Sequence, residues 1–170
     1  MHRTILGIDP GLAHTGWGVI EQCNNQFICR AYGCVATPAS QELSRRLQKI
    51  YEQIGAVIER FSPEAVGIET VWFGQNITAA FATGQARGAA LVACSQGNLQ
   101  VGEYTPRQIK LAVCGVGSAD KHQVQYMTKQ LLALEDIPQP DHAADALAAA
   151  LCFSTHASSY AAYGEGRSAR

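Results

Sequence analysis

The segment that most restricts the fold runs from Ser40 to Glu69. A helix-like stretch, SQELSRRLQKIYEQIGAVIERF, is followed at once by a strand-like one, SPEAVGIE. Leu43, Leu47, Ile50, Ile54, Val57 and Ile58 recur at helical spacing, and Ser40 stands where a cap is expected. A strand reached through a helix suits a parallel neighbour in the same sheet. Upstream lie three strand-like runs, TILGID, WGVIE and FICRAYGCV. The tight turn PGLAHTG and the polar turn QCNNQ separate them, which predicts an antiparallel meander. Downstream, ITAAFATGQARGAALVACSQG reads as a helix and LQVGEY as a strand. Three helices follow: TPRQIKLAVCG with Thr105 as cap and Pro106 in the first position, GSADKHQVQYMTKQLLAL capped by Ser118, and the Ala-rich PQPDHAADALAAALCFSTHA. The order β-β-β-α-β-α-β-α-α-α predicts an α/β domain with a mixed five-stranded sheet flanked by helices. At 170 residues the chain fits one domain, here 1–157. The Gly-, Ser- and Tyr-rich tail 158–170 is expected to be disordered.

That order gives Asp9 a place. It ends the first strand, and Glu69 ends the fourth. If those strands are parallel neighbours, both carboxylates emerge at the carboxyl edge of the sheet, where open α/β sheets bind ligands. In the last helix His142 and Asp145 are three apart, and Asp141 and Asp145 four apart, so either pair shares a face. The alanines around them allow that helix to lie close to the sheet. Grouped carboxylates repel unless one takes a proton or a cation joins them. Mg²⁺ takes carboxylate oxygens and is completed by water and phosphate oxygens. Two such ions roughly 4 Å apart serve phosphodiester hydrolysis. Taken singly, each acid has an ordinary reading, as a turn residue before Pro-Gly or as a partner for a helix dipole. Together, three elements distant in sequence would each deliver an acid to one edge.

Those same segments resemble the RuvC family of Holliday-junction resolvases. The matching motifs are GIDPGLAHTGWGVI, GIETVWFGQN, GQARGAA, GVGSADKHQVQYM and DHAADALAAAL, in order and spanning about residues 4–155. The resemblance implies a ribonuclease H-like fold and a Mg²⁺-dependent endonuclease with two ions per site, Mn²⁺ being a possible substitute. It implies a homodimer that nicks four-way junction DNA symmetrically in recombination and repair, serving the branch-migration complex RuvA–RuvB. Asp9, Glu69 and Asp145 fall on the family's acidic positions. His142 falls on the remaining one, where many members carry Asp and some His. Whether His142 or Asp141 completes the metal site stays open.

DNA-facing residues follow from charge. Between Tyr104 and Gln130 the bases Arg107, Lys110, Lys121 and Lys129 face one acid, Asp120, a local excess of three. Either they form a solvated helical face or they contact phosphates. Lys110 and Lys121 match family positions with the second role. Trp72 sits where the resemblance implies an aromatic that stacks on an unpaired base. A core or dimer-contact role for it is the competing reading. The net charge of -1 gives no global sign of a nucleic-acid partner, but two Mg²⁺ would turn it to +3.

Other classes fit less well. A kinase or ATPase of the actin and sugar-kinase type needs a second domain. A YqgF-type RNA nuclease is not expected to carry GSADKHQVQYM. A non-catalytic junction binder has no need of four candidate ligands. MHRTILGID lacks the apolar core of a signal peptide, and no run of 18 apolar residues exists. Six scattered cysteines without a CxxC pair suggest reduced thiols, hence a cytoplasmic protein with no membrane contact.

Overall fold

The computed structural model describes residues 2–24, 26–70 and 76–165, the last nine of these as helix backbone. Its elements are β1 (His2–Asp9), β2 (His14–Cys23), β3 (Gln26–Ala36), α1 (Leu43–Phe61), β4 (Ala65–Glu69), α2 (Ile77–Gln96), β5 (Gln100–Tyr104), α3 (Pro106–Cys114), α4 (Lys121–Leu131) and α5 (Asp141–Glu165). The element order matches the sequence expectation. The sheet runs β3-β2-β1-β4-β5. β1, β2 and β3 are antiparallel, while β4 joins β1 in parallel and β5 joins β4 in parallel.

Alternation along the strands sorts the core into two layers. Leu6, Ile8, Val19, Val66 and Ile68 pack with Ile50, Ile54, Val57 and Ile58 of α1 and with Ala86, Ala90 and Ala93 of α2. Ile5, Ile20 and Ala65 face the other way, onto α3, α4 and α5. Deleting a side chain such as Ile54, fully buried, would cost about 2–5 kcal/mol. Asp9 and Glu69 follow the alternation of Ile5 and Ala65, so both face the α5 side.

A row of glycines lets α5 come down onto the sheet. Gly18, Gly7, Gly67 and Gly102 pair across β2, β1, β4 and β5 in one register line. A Cβ on Gly7 would lie 1.8 Å from the carbonyl oxygen of Ala146, and one on Gly67 2.2 Å from that of Ala149. The helix answers with Ala143, Ala144, Ala146 and Ala148–Ala150, all fully buried. Backbone therefore packs on backbone, and the polar start of α5 is carried down to Asp9.

Several local expectations fail for identifiable reasons. Ser40 does not cap α1. Residues 38–41 close a turn through Gln41 N–H to the Pro38 carbonyl, and the helix starts later, with Glu42 at its N-cap and no side-chain cap. Leu43 is consequently 42% exposed rather than part of the buried stripe. Ser118 does not cap α4. Asp120 does, because Gln123 three residues on can return the bond to its backbone N–H. Thr105 and Pro106 open α3 as expected, with Gln108 closing the capping box. β2 begins at His14, inside the stretch read as turn. All six cysteines are free. No described helix is long and apolar enough to cross a membrane.

Candidate functional site

Register decides the geometry. Ile8 pairs with Ile68 in the parallel β1–β4 ladder, so Asp9 and Glu69 are the next residues on adjacent strands. The first two turns of α5 bring in His142 and Asp145. One ligand atom each from Asp9, His142 and Asp145 lies within 4.8 Å of the others. The His142 Nδ1–H donates to Asp9 Oδ2 at 2.7 Å. That bond holds the imidazole above its ordinary pKa against the opposing effect of burial.

The crowding shows in the acids. Burial first, then the charges of Asp9 and Asp145, push the Glu69 carboxyl up to about 7, with Lys110 and Lys121 pulling the other way. Burial and Asp9 likewise raise Asp145, against the pull of Lys121. Glu69 and Asp145 also line a pocket of about 200 Å³ with Lys110, Lys121, Pro106, Ile109 and Val124. Asp145 thus belongs both to the tight trio and to a pocket with two ammonium groups on its wall.

Lys121 sits 3.3 Å from Asp145 and 3.1 Å from Asp141. Burial works against its charge, but the bonds to the two acids raise its pKa. Asp141 is half-exposed and is held below the usual carboxylate range by its bond from Lys121. Asp141 therefore points to Lys121, and His142 is the residue that joins Asp9 and Asp145. Arg107 is exposed and lies along Gly117, away from the pocket lining. Trp72 falls in 71–75, outside the described residues.

Sequence reasoning missed His14. Its ring lies against that of His142, with centroids 5.5 Å apart and planes within 8°. The available signal was alternation: Gly16 is opposite Asp9, so His14, two residues before it, leaves the same face.

The donor set suits a hard divalent cation. Two carboxylates and one imidazole cluster with a third carboxylate, Glu69, on the next strand; Glu69 and Asp145 are raised by burial and by neighbouring acids, and a cation would offset that crowding of charge. Comparison with known proteins agrees with a nuclease of this kind. The family model described as crossover junction endodeoxyribonuclease RuvC matches residues 5–153. The chain belongs to the RuvC family. A RuvC from Heliobacterium modesticaldum is 49% identical over 148 residues, covering 87% of this chain and 91% of that one. The RuvC of Treponema denticola is 48% identical over 147 residues, covering 86% and 83%. The solved structure of Thermus thermophilus RuvC in complex with a Holliday junction substrate superposes with a TM-score of 0.87 at 36% identity, covering 92% of this chain and 95% of that one. The sheet order and the RuvC match together identify the fold as ribonuclease H-like.

Proposed function

We propose that this chain resolves four-way junction DNA by metal-dependent hydrolysis at the carboxyl edge of its sheet, with Asp9, Glu69, His142 and Asp145 holding two Mg²⁺ ions. The observation that carries the reading is the convergence of Asp9, His142 and Asp145 within 4.8 Å beside Glu69 on the next parallel strand. When bound, the two ions would activate a water and stabilise the charge that develops on the phosphate oxygens. The chain supplies the rest. Asp9 and Glu69 are fixed by the sheet, so their carboxylates hold position without loop ordering. His142 would ligate as the neutral imidazole, through the ring nitrogen that carries no proton. Mn²⁺ accepts imidazole more readily than Mg²⁺ and is the expected substitute. Lys110 and Lys121, on the wall of the pocket that Glu69 and Asp145 also line, would bind phosphate oxygens of the junction, with Arg107 further out and Trp72 stacking on an unpaired base.

A homodimer is part of this proposal. Ile77, Phe81 and Val92 of α2 are 74%, 66% and 53% exposed, and they share one helical stripe with Gly84 and Gly88, beside which there is open space. Such a stripe suits a second copy across a two-fold axis, matching the two equivalent strands to be cut. The proposed nuclease unit is 1–157, the RuvA–RuvB complex is the proposed partner, and the cytoplasm the proposed location. The test is incubation of a mobile synthetic four-way junction with Mg²⁺, against linear duplex and RNA. Paired symmetric nicks in the junction alone are expected; cutting of all three substrates, or binding without cutting, would overturn the reading.

A further inference from the structure

His142 is fixed at three points. Its carbonyl oxygen occupies the space a side chain at Gly16 would need, 1.9 Å from an ideal Cβ there. Its Nδ1 is bonded to Asp9. Its ring lies in an offset stack on His14, the first residue of β2. The backbone contact fixes where the side chain starts, and leaves the torsion between Cβ and the ring, which is broad for histidine. His14 and His142 also line an open groove of about 370 Å³ with Leu12, Arg46 and Thr83, and the His142 side chain stays 42% exposed.

Ligation through Nδ1 would replace the proton this nitrogen shares with Asp9, whereas ligation through Nε2 would leave that bond competing with the cation for the carboxylate. In either case the stack on His14 is a constraint on the ring plane that ligation does not consume. We propose that His14 is a positioning residue of this nuclease, its ring holding the plane of His142 so that an imidazole nitrogen stays aimed at the metal position between Asp9 and Asp145. This rests on the reading of His142 as a ligand.

The test is Mn²⁺ affinity of the full chain without DNA, read from the paramagnetic resonance signal of free Mn²⁺. It is applied to wild type, His14→Ala, His14→Phe, His142→Ala and the His14→Ala/His142→Ala double variant. A stacked pair of this geometry corresponds to about a twofold to tenfold change in an equilibrium constant. His14→Ala is expected to weaken Mn²⁺ by that factor and to slow single-turnover junction cleavage, with junction affinity unchanged. His14→Phe, which keeps a flat ring, is expected to recover most of both. In the His142→Ala background, His14→Ala is expected to add nothing, which identifies His142 as the route of the effect. Wild-type Mn²⁺ affinity in His14→Ala, a His14→Phe variant no better than Ala, or an undiminished effect in the double variant would each overturn the proposal. If His142→Ala itself binds Mn²⁺ as wild type does, the ligand reading falls and the proposal with it. If His142→Ala is weakened and His14→Ala is not, the positioning role alone falls.

Discussion

Asp9 and Glu69 leave adjacent parallel strands side by side, each one residue beyond the paired Ile8 and Ile68, and both toward α5. Two acids held in register by a hydrogen-bonded ladder cannot move apart to relieve their repulsion. A cation or a proton must do it.

Asp9→Asn and Glu69→Gln should therefore each abolish junction cleavage in Mg²⁺ while leaving junction affinity nearly unchanged. Gel-shift and cleavage assays on the same junction check this. Normal cutting by either variant would remove that residue from the metal site.

Without metal, the same crowding makes stability depend on pH. The Glu69 carboxyl is raised from its ordinary value to about 7, and Asp145 and His142 are raised as well. A raised group in the folded state means the native protein holds its protons more tightly than the unfolded chain. That contribution is present at low pH and is lost as pH rises through the folded value. For Glu69 the window runs from about pH 4.5 to about 7 and the effect is on the order of 3 kcal/mol at most. Thermal melts in chelator should show a midpoint falling across this window. Mg²⁺ should restore it, and Glu69→Gln should flatten the decline. A midpoint that rises over the same range would contradict the arrangement.

Cleavage should show the opposite trend. Protonated His142 repels cations, and its bond to Asp9 favours the protonated form. Activity should fall as pH drops, with a midpoint that rises when metal is scarce. His142→Asp should retain activity, extend it to lower pH and narrow the advantage of Mn²⁺ over Mg²⁺. The measurement is a pair of pH–rate profiles, one per metal, for each protein. Overlapping profiles with equal metal ratios would take His142 out of the site.

Lys110 and Lys121 differ in their partners, and this should be visible in salt dependence. Lys121 is paired with Asp141 and Asp145, whereas Lys110 lines the same pocket. Lys110→Ala should lower the slope of log K against log salt by about one unit with or without divalent metal. Lys121→Ala should do so fully only with a divalent cation that is bound but does not support cutting, such as Ca²⁺, because Asp145 then has another partner. Equal slopes for wild type and both variants would return these lysines to an ordinary solvated face.

What the sequence made legible was the part governed by local punctuation and periodicity. The strand that ends in Asp9, the helix-to-strand return that ends in Glu69, and the capped start of α3 at Thr105 and Pro106 could all be read from neighbouring residues. Ser40 and Ser118 were misleading because a serine is a good cap only if the chain turns helical just after it. At both places a turn comes first, and Glu42 and Asp120 take the position. The choice between His142 and Asp141 was illegible for another reason. Both start α5, and what separates them is which side of that helix meets Lys121 of α4 and which meets Asp9 of β1, a matter of packing between elements that local sequence does not specify. His14 belongs to the same class, since its place against His142 follows only once Gly16 is set opposite Asp9.

The line of glycines under α5 makes tolerance in this protein lopsided. On the helix, alanine is the residue that fits, and Ala146 and Ala149 press their backbone into the sheet. On the strands just below, the same methyl group would stand 1.8 Å from a carbonyl oxygen at Gly7, where ordinary contact begins at 3.4 Å. The helix would have to lift, and His142 and Asp145 would lift with it, away from Asp9. A survey that ranks residues by loss of cutting would then score Gly7 beside Asp9, although Gly7 has no atom to offer a metal or a phosphate. The working clearance between α5 and Asp9 is machined into positions that carry no side chain, and it has no slack in one direction.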